Sequence, residues 1–105
     1  MRVNGNLEVP DEEIAEFCRK WRISEFALFG SVLRDDFGPG SDVDVLVRFQ
    51  EPVRWDLFDL VHMEKELKEM LGRDVDLVSR RGIETSRNYI RRKDILDSAE
   101  AVYAA

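Results

Sequence analysis

Two aspartates one residue apart, Asp42 and Asp44, follow a glycine-serine pair, Gly30-Ser31, with ten positions between Ser31 and Asp42. In an extended strand, residues i and i+2 point to one face with Cα atoms roughly 6.5–7 Å apart, so both carboxylates can reach one cluster of hard cations. The pair alone is weak evidence, because surface strands often carry two acids. A third carboxylate, Asp76, occupies a second D-V-D setting at residues 74–76. Three acids converging from neighbouring strands repel one another unless a divalent metal neutralises them. A glycine followed by a hydroxyl at a strand end lets backbone and side chain approach phosphate oxygens closely. Such a set suits two-metal, in-line displacement at phosphorus, with metal ions about 3.5–4 Å apart clamping a nucleotide triphosphate and its attacking oxygen.

Elements must bring these residues together. The spacing of Ile14, Phe17, Cys18 and Trp21 predicts a first helix over 11–21, opened by Pro10 and by acids in its first turn. The run Glu25–Phe29 reads as a buried strand ending in the Gly30-Ser31 turn, with about one helical turn over Val32–Arg34. Residues 36–41 are dense in turn formers. Asp42–Phe49 reads as a strand with Val43 and Val45 directed to the core, Trp55–Leu71 as a helix and Asp74–Val78 as a third strand. The helix stripe is Leu57, Leu60, Val61, Leu67 and Leu71, with Gly72 as its stop. A last helix is expected over 88–103, with Ile95, Leu96, Ala99, Val102 and Tyr103 on one side. The fold class is therefore α+β, a small mixed β-sheet covered by helices. The loop over 36–41 is too short for a parallel crossover, so the strands it joins should be antiparallel.

The 105 residues are expected to form one domain, with residues 1–10 allowed to be flexible. Sixteen Lys and Arg against twenty-two Asp and Glu leave a net charge of −6, the wrong sign for broad phosphate contacts, so nucleic acid is not expected as a partner. The charge is uneven: residues 77–105 hold six bases and four acids, and the rest hold ten and eighteen. No apolar run has the length of a membrane span, and a cytoplasmic location is expected. The lone Cys18 can make neither a disulfide nor a thiolate zinc site by itself, and its place on an apolar helix face marks it as core, like Trp21. Trp55 is equally open to a place at the core edge or in a partner contact. His62 has no second ligand or nucleophile beside it. The run Arg91-Arg92-Lys93 reads first as a solvated face, and the basic stretch from Arg87 to Lys93 second as a contact for toxin or phosphate.

LFGSVLRDDFGPGSDVDVLVRF at residues 28–49 resembles the G-S-x(10)-D-x-D signature of the polymerase β-like nucleotidyltransferase superfamily, and DVDLV at 74–78 matches its third acid. Within that superfamily the chain resembles the minimal nucleotidyltransferase (MNT) antitoxins that accompany HEPN ribonuclease toxins, from about residue 11 to 104. The resemblance implies a protein adenylyltransferase that moves AMP from ATP to a tyrosine of a cognate HEPN toxin and silences it, in association with that toxin. It implies that Asp42, Asp44 and Asp76 are catalytic and hold Mg²⁺, two ions in all, and that Gly30 and Ser31 take the nucleotide phosphates. Arg34 and Ser41 are assigned to nucleotide contact, and Asp74 is second to Asp76. Two alternatives stay open: an antitoxin that neutralises by binding alone, and a small-molecule nucleotidyltransferase that builds its acceptor pocket by dimerising.

Overall fold

A computed structural model describes all 105 residues. Its first ten residues, where no element is expected, form a hairpin of β1 (Arg2–Val3) and β2 (Leu7–Glu8) turned by Asn4 and Gly5, both at positive φ. Val3, Leu7 and Val9 are buried in the main core, so apolar burial holds the hairpin down. Asn6 donates from its amide to the carbonyls of Val32 and Arg34, at 2.9 and 2.7 Å, and Asn4 to that of Leu33 at 3.0 Å.

Helix α1 (Asp11–Lys20) carries acids in its first turn and Arg19 and Lys20 in its last, matching its dipole, and buries Ile14, Phe17 and Cys18. Strand β3 (Ile23–Phe29) ends in a 3₁₀ turn over Gly30–Leu33. Strand β4 (Val43–Phe49) starts one residue later than expected, leaving Asp42 at its entrance. Helix α2 (Leu57–Leu71) opens on a capping box between Asp56 and Asp59 and stops at Gly72, whose φ of 70° is left-handed. Strand β5 (Val75–Ser79) leads into a short helix, α3 (Arg80–Glu84), capped by Ser79.

The chain after residue 88 departs from the sequence expectation. Helix α4 (Tyr89–Ser98) stops at Ala99, and residues 100–104 form strand β6 (Glu100–Ala104) instead of a helical end. Val102 and Tyr103 fit a helical stripe with Ile95, but β3 has an open edge whose backbone groups need partners. β6 supplies them in antiparallel pairing, Phe26 opposite Tyr103 and Leu28 opposite Glu100. Tertiary pairing thus overrides local periodicity.

The sheet order is β5-β4-β3-β6, antiparallel except for β4-β5, where α2 makes the crossover. It is the mixed sheet expected, and residues 36–41 do turn β3 back against β4. A main core gathers α1, α2 and Val43, Val45, Val47, Phe26 and Leu28 on one face. A smaller cluster, Ala27, Phe29, Leu46, Ile83 and Ile95, lies under α3 and α4 on the other. Trp21 and Trp55 stack edge to face with centroids 5.1 Å apart, and the Trp55 indole donates to the Trp21 carbonyl at 2.9 Å, which places Trp55 at the core edge. The α2 stripe is narrower than expected: Met63, Leu67 and Leu71 are buried, whereas Leu57, Phe58 and Val61 are exposed at 73%, 78% and 54%.

Candidate active site

Register brings the predicted acids together. Asp44 lies opposite Phe29 across the β3-β4 pair, and Asp76 lies beside Asp44 in the parallel β4-β5 pair. Partners directly across a ladder share a face, so Asp44 and Asp76 stand on the α3-α4 side while Val43, Val45 and Val75 turn to the main core. Asp42 stands at the mouth of β4, held there by the Val43 N–H, which donates to the Asp74 carbonyl at 2.9 Å. Asp42 and Asp76 are exposed and Asp44 is half-buried.

The electrostatics record the crowding. Burial pushes the Asp44 carboxyl above its ordinary range, the charges of Asp76 and Asp42 push it further, and those of Arg34 and Arg91 oppose the rise. Glu64 of α2 is raised as well, by burial and then by Asp76. Sequence reasoning missed Glu64 and saw Arg91 only as one member of a basic run. Their shared signal is a charge where helical periodicity asks for an apolar group: Glu64 falls between Leu60, Leu67 and Leu71, and Arg91 four residues before buried Ile95.

Gly30 sits directly on this cluster. Its φ is +77°, and a Cβ built on it would lie 2.2 Å from Oδ2 of Asp44. Only glycine fits there, for conformation and for space. Ser31 follows in the 3₁₀ turn, half-buried, and the hairpin amides of Asn4 and Asn6 hold that turn by its carbonyls.

The remaining predicted residues have structural partners. Arg34 is exposed and pairs with Asp36 at 3.1 Å. Ser41 accepts at Oγ from the Gly38 N–H at 3.0 Å, while Arg73 donates to the carbonyls of Gly38, Pro39 and Ser41 and lies 4.3 Å from the Phe37 ring centroid. Arg73 therefore clamps the loop that delivers Asp42. Asp74 is engaged by Lys68 at 2.8 Å, which separates it from Asp76. A polar recess of about 270 Å³ opens beside Ser41, Asp42 and Arg73. A roomier cavity of about 370 Å³, lined by Phe49, Trp55, Arg80 and Arg81 among others, opens at the far end of β4 and is separate from the carboxylates.

No group of three or more Asp, Glu, His or Cys side chains is arranged to hold a metal ion on protein ligands alone. The donor set nonetheless suits Mg²⁺, which binds through one or two carboxylates plus substrate phosphates and water in preference to an all-protein cage. Asp44 and Asp76, in register and mutually repelling, are hard oxygen donors of that kind.

A nucleotidyltransferase domain model matches residues 11–101. The chain belongs to the nucleotidyltransferase domain family. Among its relatives is the protein adenylyltransferase MntA of Thermococcus cleftensis, 33% identical over 70 residues, covering 67% of this chain and 69% of that protein. MJ1217 of Methanocaldococcus jannaschii, provisionally named a protein adenylyltransferase, is 34% identical over 64 residues, 61% of this chain, and the match spans 63% of its own length. The fold is shared with a toxin-antitoxin structure containing AMP-PNP, at TM-score 0.71 and 20% identity, covering 92% of this chain and 75% of that one. It is also shared with the complex of a tri-AMPylated Shewanella oneidensis HEPN toxin and its MNT antitoxin, at TM-score 0.62 and 21% identity, covering 90% and 70%. No helix of this chain is long and apolar enough to cross a membrane.

Proposed function

We propose that this nucleotidyltransferase is an antitoxin that transfers AMP from ATP to a tyrosine hydroxyl of a HEPN-type toxin. The observation that carries the reading is the three-way junction of Gly30, Asp44 and Asp76, with no room at Gly30 for any side chain. The adenylyltransferase names of its relatives and the AMPylated toxin bound to an MNT antitoxin support the same chemistry.

In this reading Asp42, Asp44 and Asp76 hold Mg²⁺ against the triphosphate. Bound Mg²⁺ supplies neutralisation of the phosphate charge and activation of the attacking oxygen. The chain's own groups do the rest. The Gly30-Ser31 bend offers a bare backbone and a hydroxyl to the β and γ phosphates, and the Asn4 and Asn6 amides keep that bend rigid. Arg73 fixes the loop over 38–41 so that Asp42 meets Asp44 without a search. The acceptor oxygen bonds to the α-phosphorus, the bond from that phosphorus to the β-phosphate oxygen breaks, and pyrophosphate leaves. Asp76, exposed on the acceptor's side, takes the hydroxyl proton.

A protein acceptor is favoured by the exposed Leu57, Phe58 and Val61, and Tyr89 and Ile90, exposed at 61% and 80%. Solvent-exposed apolar groups of this size mark contact surfaces. The same groups favour the reading in which covering the toxin is itself neutralising, and one experiment separates the two. A cognate HEPN-type toxin is incubated with this chain, ATP and Mg²⁺, and weighed by mass spectrometry. AMP adducts on a toxin tyrosine are expected, and Asp42→Asn with Asp44→Asn should abolish them. An unmodified toxin that is still neutralised would replace transfer with occlusion.

A further inference from the structure

Arg91 stands in the first turn of α4, four residues before Ile95 and therefore on the same helix face. Ile95 is buried in the cluster that contains Ala27, Phe29 and Leu46. Leu46 is two residues along β4 from Asp44, and Phe29 is directly opposite Asp44, so this is the sheet face that carries the carboxylates. An arginine there, in place of an apolar side chain, brings a positive charge over the acids. The guanidinium is exposed and forms no ion pair within the chain, unlike Arg34, which is held by Asp36, and Arg80, which is held by Glu25. Its neighbour Arg92 is occupied otherwise, donating to the Ser86 carbonyl and lying over the Tyr89 ring. Among the bases that open α4, Arg91 alone combines a free guanidinium with a place on the buried face of the helix.

We infer that Arg91 is a ligand of the nucleotide triphosphate, its guanidinium reaching the phosphates from α4 while the Gly30-Ser31 bend serves them from the end of β3. This rests on the proposed nucleotidyl transfer at the same carboxylates. A planar guanidinium matches phosphate oxygens two at a time, which an ammonium cannot reproduce. It also adds a fixed positive charge, beside that of Arg34, to a site otherwise built of acids. The sequence reading of Arg91-Arg92-Lys93 as a solvated face then holds for Lys93 and not for Arg91.

The test is calorimetric titration of a non-hydrolysable ATP analogue in Mg²⁺ into the wild-type chain and into Arg91→Ala, Arg91→Lys and Lys93→Ala, with pyrophosphate as a competing ligand. Arg91→Ala is expected to weaken analogue binding roughly tenfold or more, and pyrophosphate binding in parallel. Arg91→Lys should recover only part of the loss, and Lys93→Ala should bind as wild type. Thermal melts of all four proteins should coincide, since Arg91 is exposed. Binding by Arg91→Ala equal to wild type would overturn the assignment and leave nucleotidyl transfer standing. Unchanged pyrophosphate competition in that variant would also overturn it, moving Arg91 away from the phosphates that leave. A wild-type chain that binds no analogue would defeat the transfer reading and this inference together, a result distinguishable from either of the others.

Discussion

Gly30 and Asp44 touch through a gap that no side chain can enter: a Cβ on Gly30 would lie 2.2 Å from Asp44 Oδ2 and 3.1 Å from its Cγ. The glycine at the end of β3 is thus the wall of the carboxylate cluster as well as the hinge of the turn. Gly30→Ala must displace Asp44 and strain a backbone with φ of +77°. Displacement of about 1 Å is enough to cost roughly 100-fold in a positioned reaction, so AMP transfer should fall by at least that factor. Left-handed strain should cost a further 1–2 kcal/mol or so of stability. Single-turnover transfer and urea unfolding check both, and near-normal transfer by Gly30→Ala would contradict the contact.

Asp44 also governs how the metal-free protein responds to pH. Its carboxyl is raised above the ordinary value of 3.8, so between 3.8 and the higher folded value the native state binds more protons than the unfolded chain. Stability from this group is full below 3.8, is lost as pH rises through the folded value, and stays lower above it. Asp44→Asn removes the charge that burial and the neighbouring acids penalise, and should raise the melting temperature at pH 7 without metal. Mg²⁺ should stabilise wild type more than the variant. A variant that melts below wild type in chelator would contradict this sign.

Arg73 makes three carbonyl contacts, at 2.6, 3.2 and 3.0 Å, and stacks on Phe37. Arg73→Ala should destabilise the fold by about 1–2 kcal/mol and loosen residues 38–41. Amide hydrogen exchange at those residues is the measurement, with unchanged protection as the contrary outcome.

Strand β6 closes the open edge of β3 through pairs from Glu25-Ala104 to Leu28-Glu100. Deleting residues 100–105 should lower the melting temperature by about 10 °C, the equivalent of roughly 2 kcal/mol in a domain of this size. A chain ending at Ala99 that melts like wild type would mean the strand contributes nothing.

Most of the candidate site was legible because the chemistry it would do depends on residue type and spacing: a glycine, a hydroxyl and three acids at strand ends. Antiparallel pairing across residues 36–41 followed from loop length alone. What was hidden depends on which surface each helix meets. Glu64 and Arg91 matter only because α2 and α4 carry them to the sheet end where Asp76 and Asp44 stand. The β6 strand was hidden for a related reason, since Val102 and Tyr103 satisfy a helical stripe and a strand face alike. Only the unpaired edge of β3 decides between them. Ser41 and Arg34, assigned to nucleotide contact by position in a motif, have partners within the chain: Ser41 accepts from the Gly38 N–H and Arg34 pairs with Asp36.

A crystal structure of the chain with a non-hydrolysable ATP analogue and Mg²⁺ would examine the whole account at once. The expected density puts the triphosphate against Gly30 and Ser31, with metal between its oxygens and Asp42, Asp44 and Asp76. A triphosphate seated in the cavity beside Trp55 and Arg81, with the three aspartates bare, would contradict it.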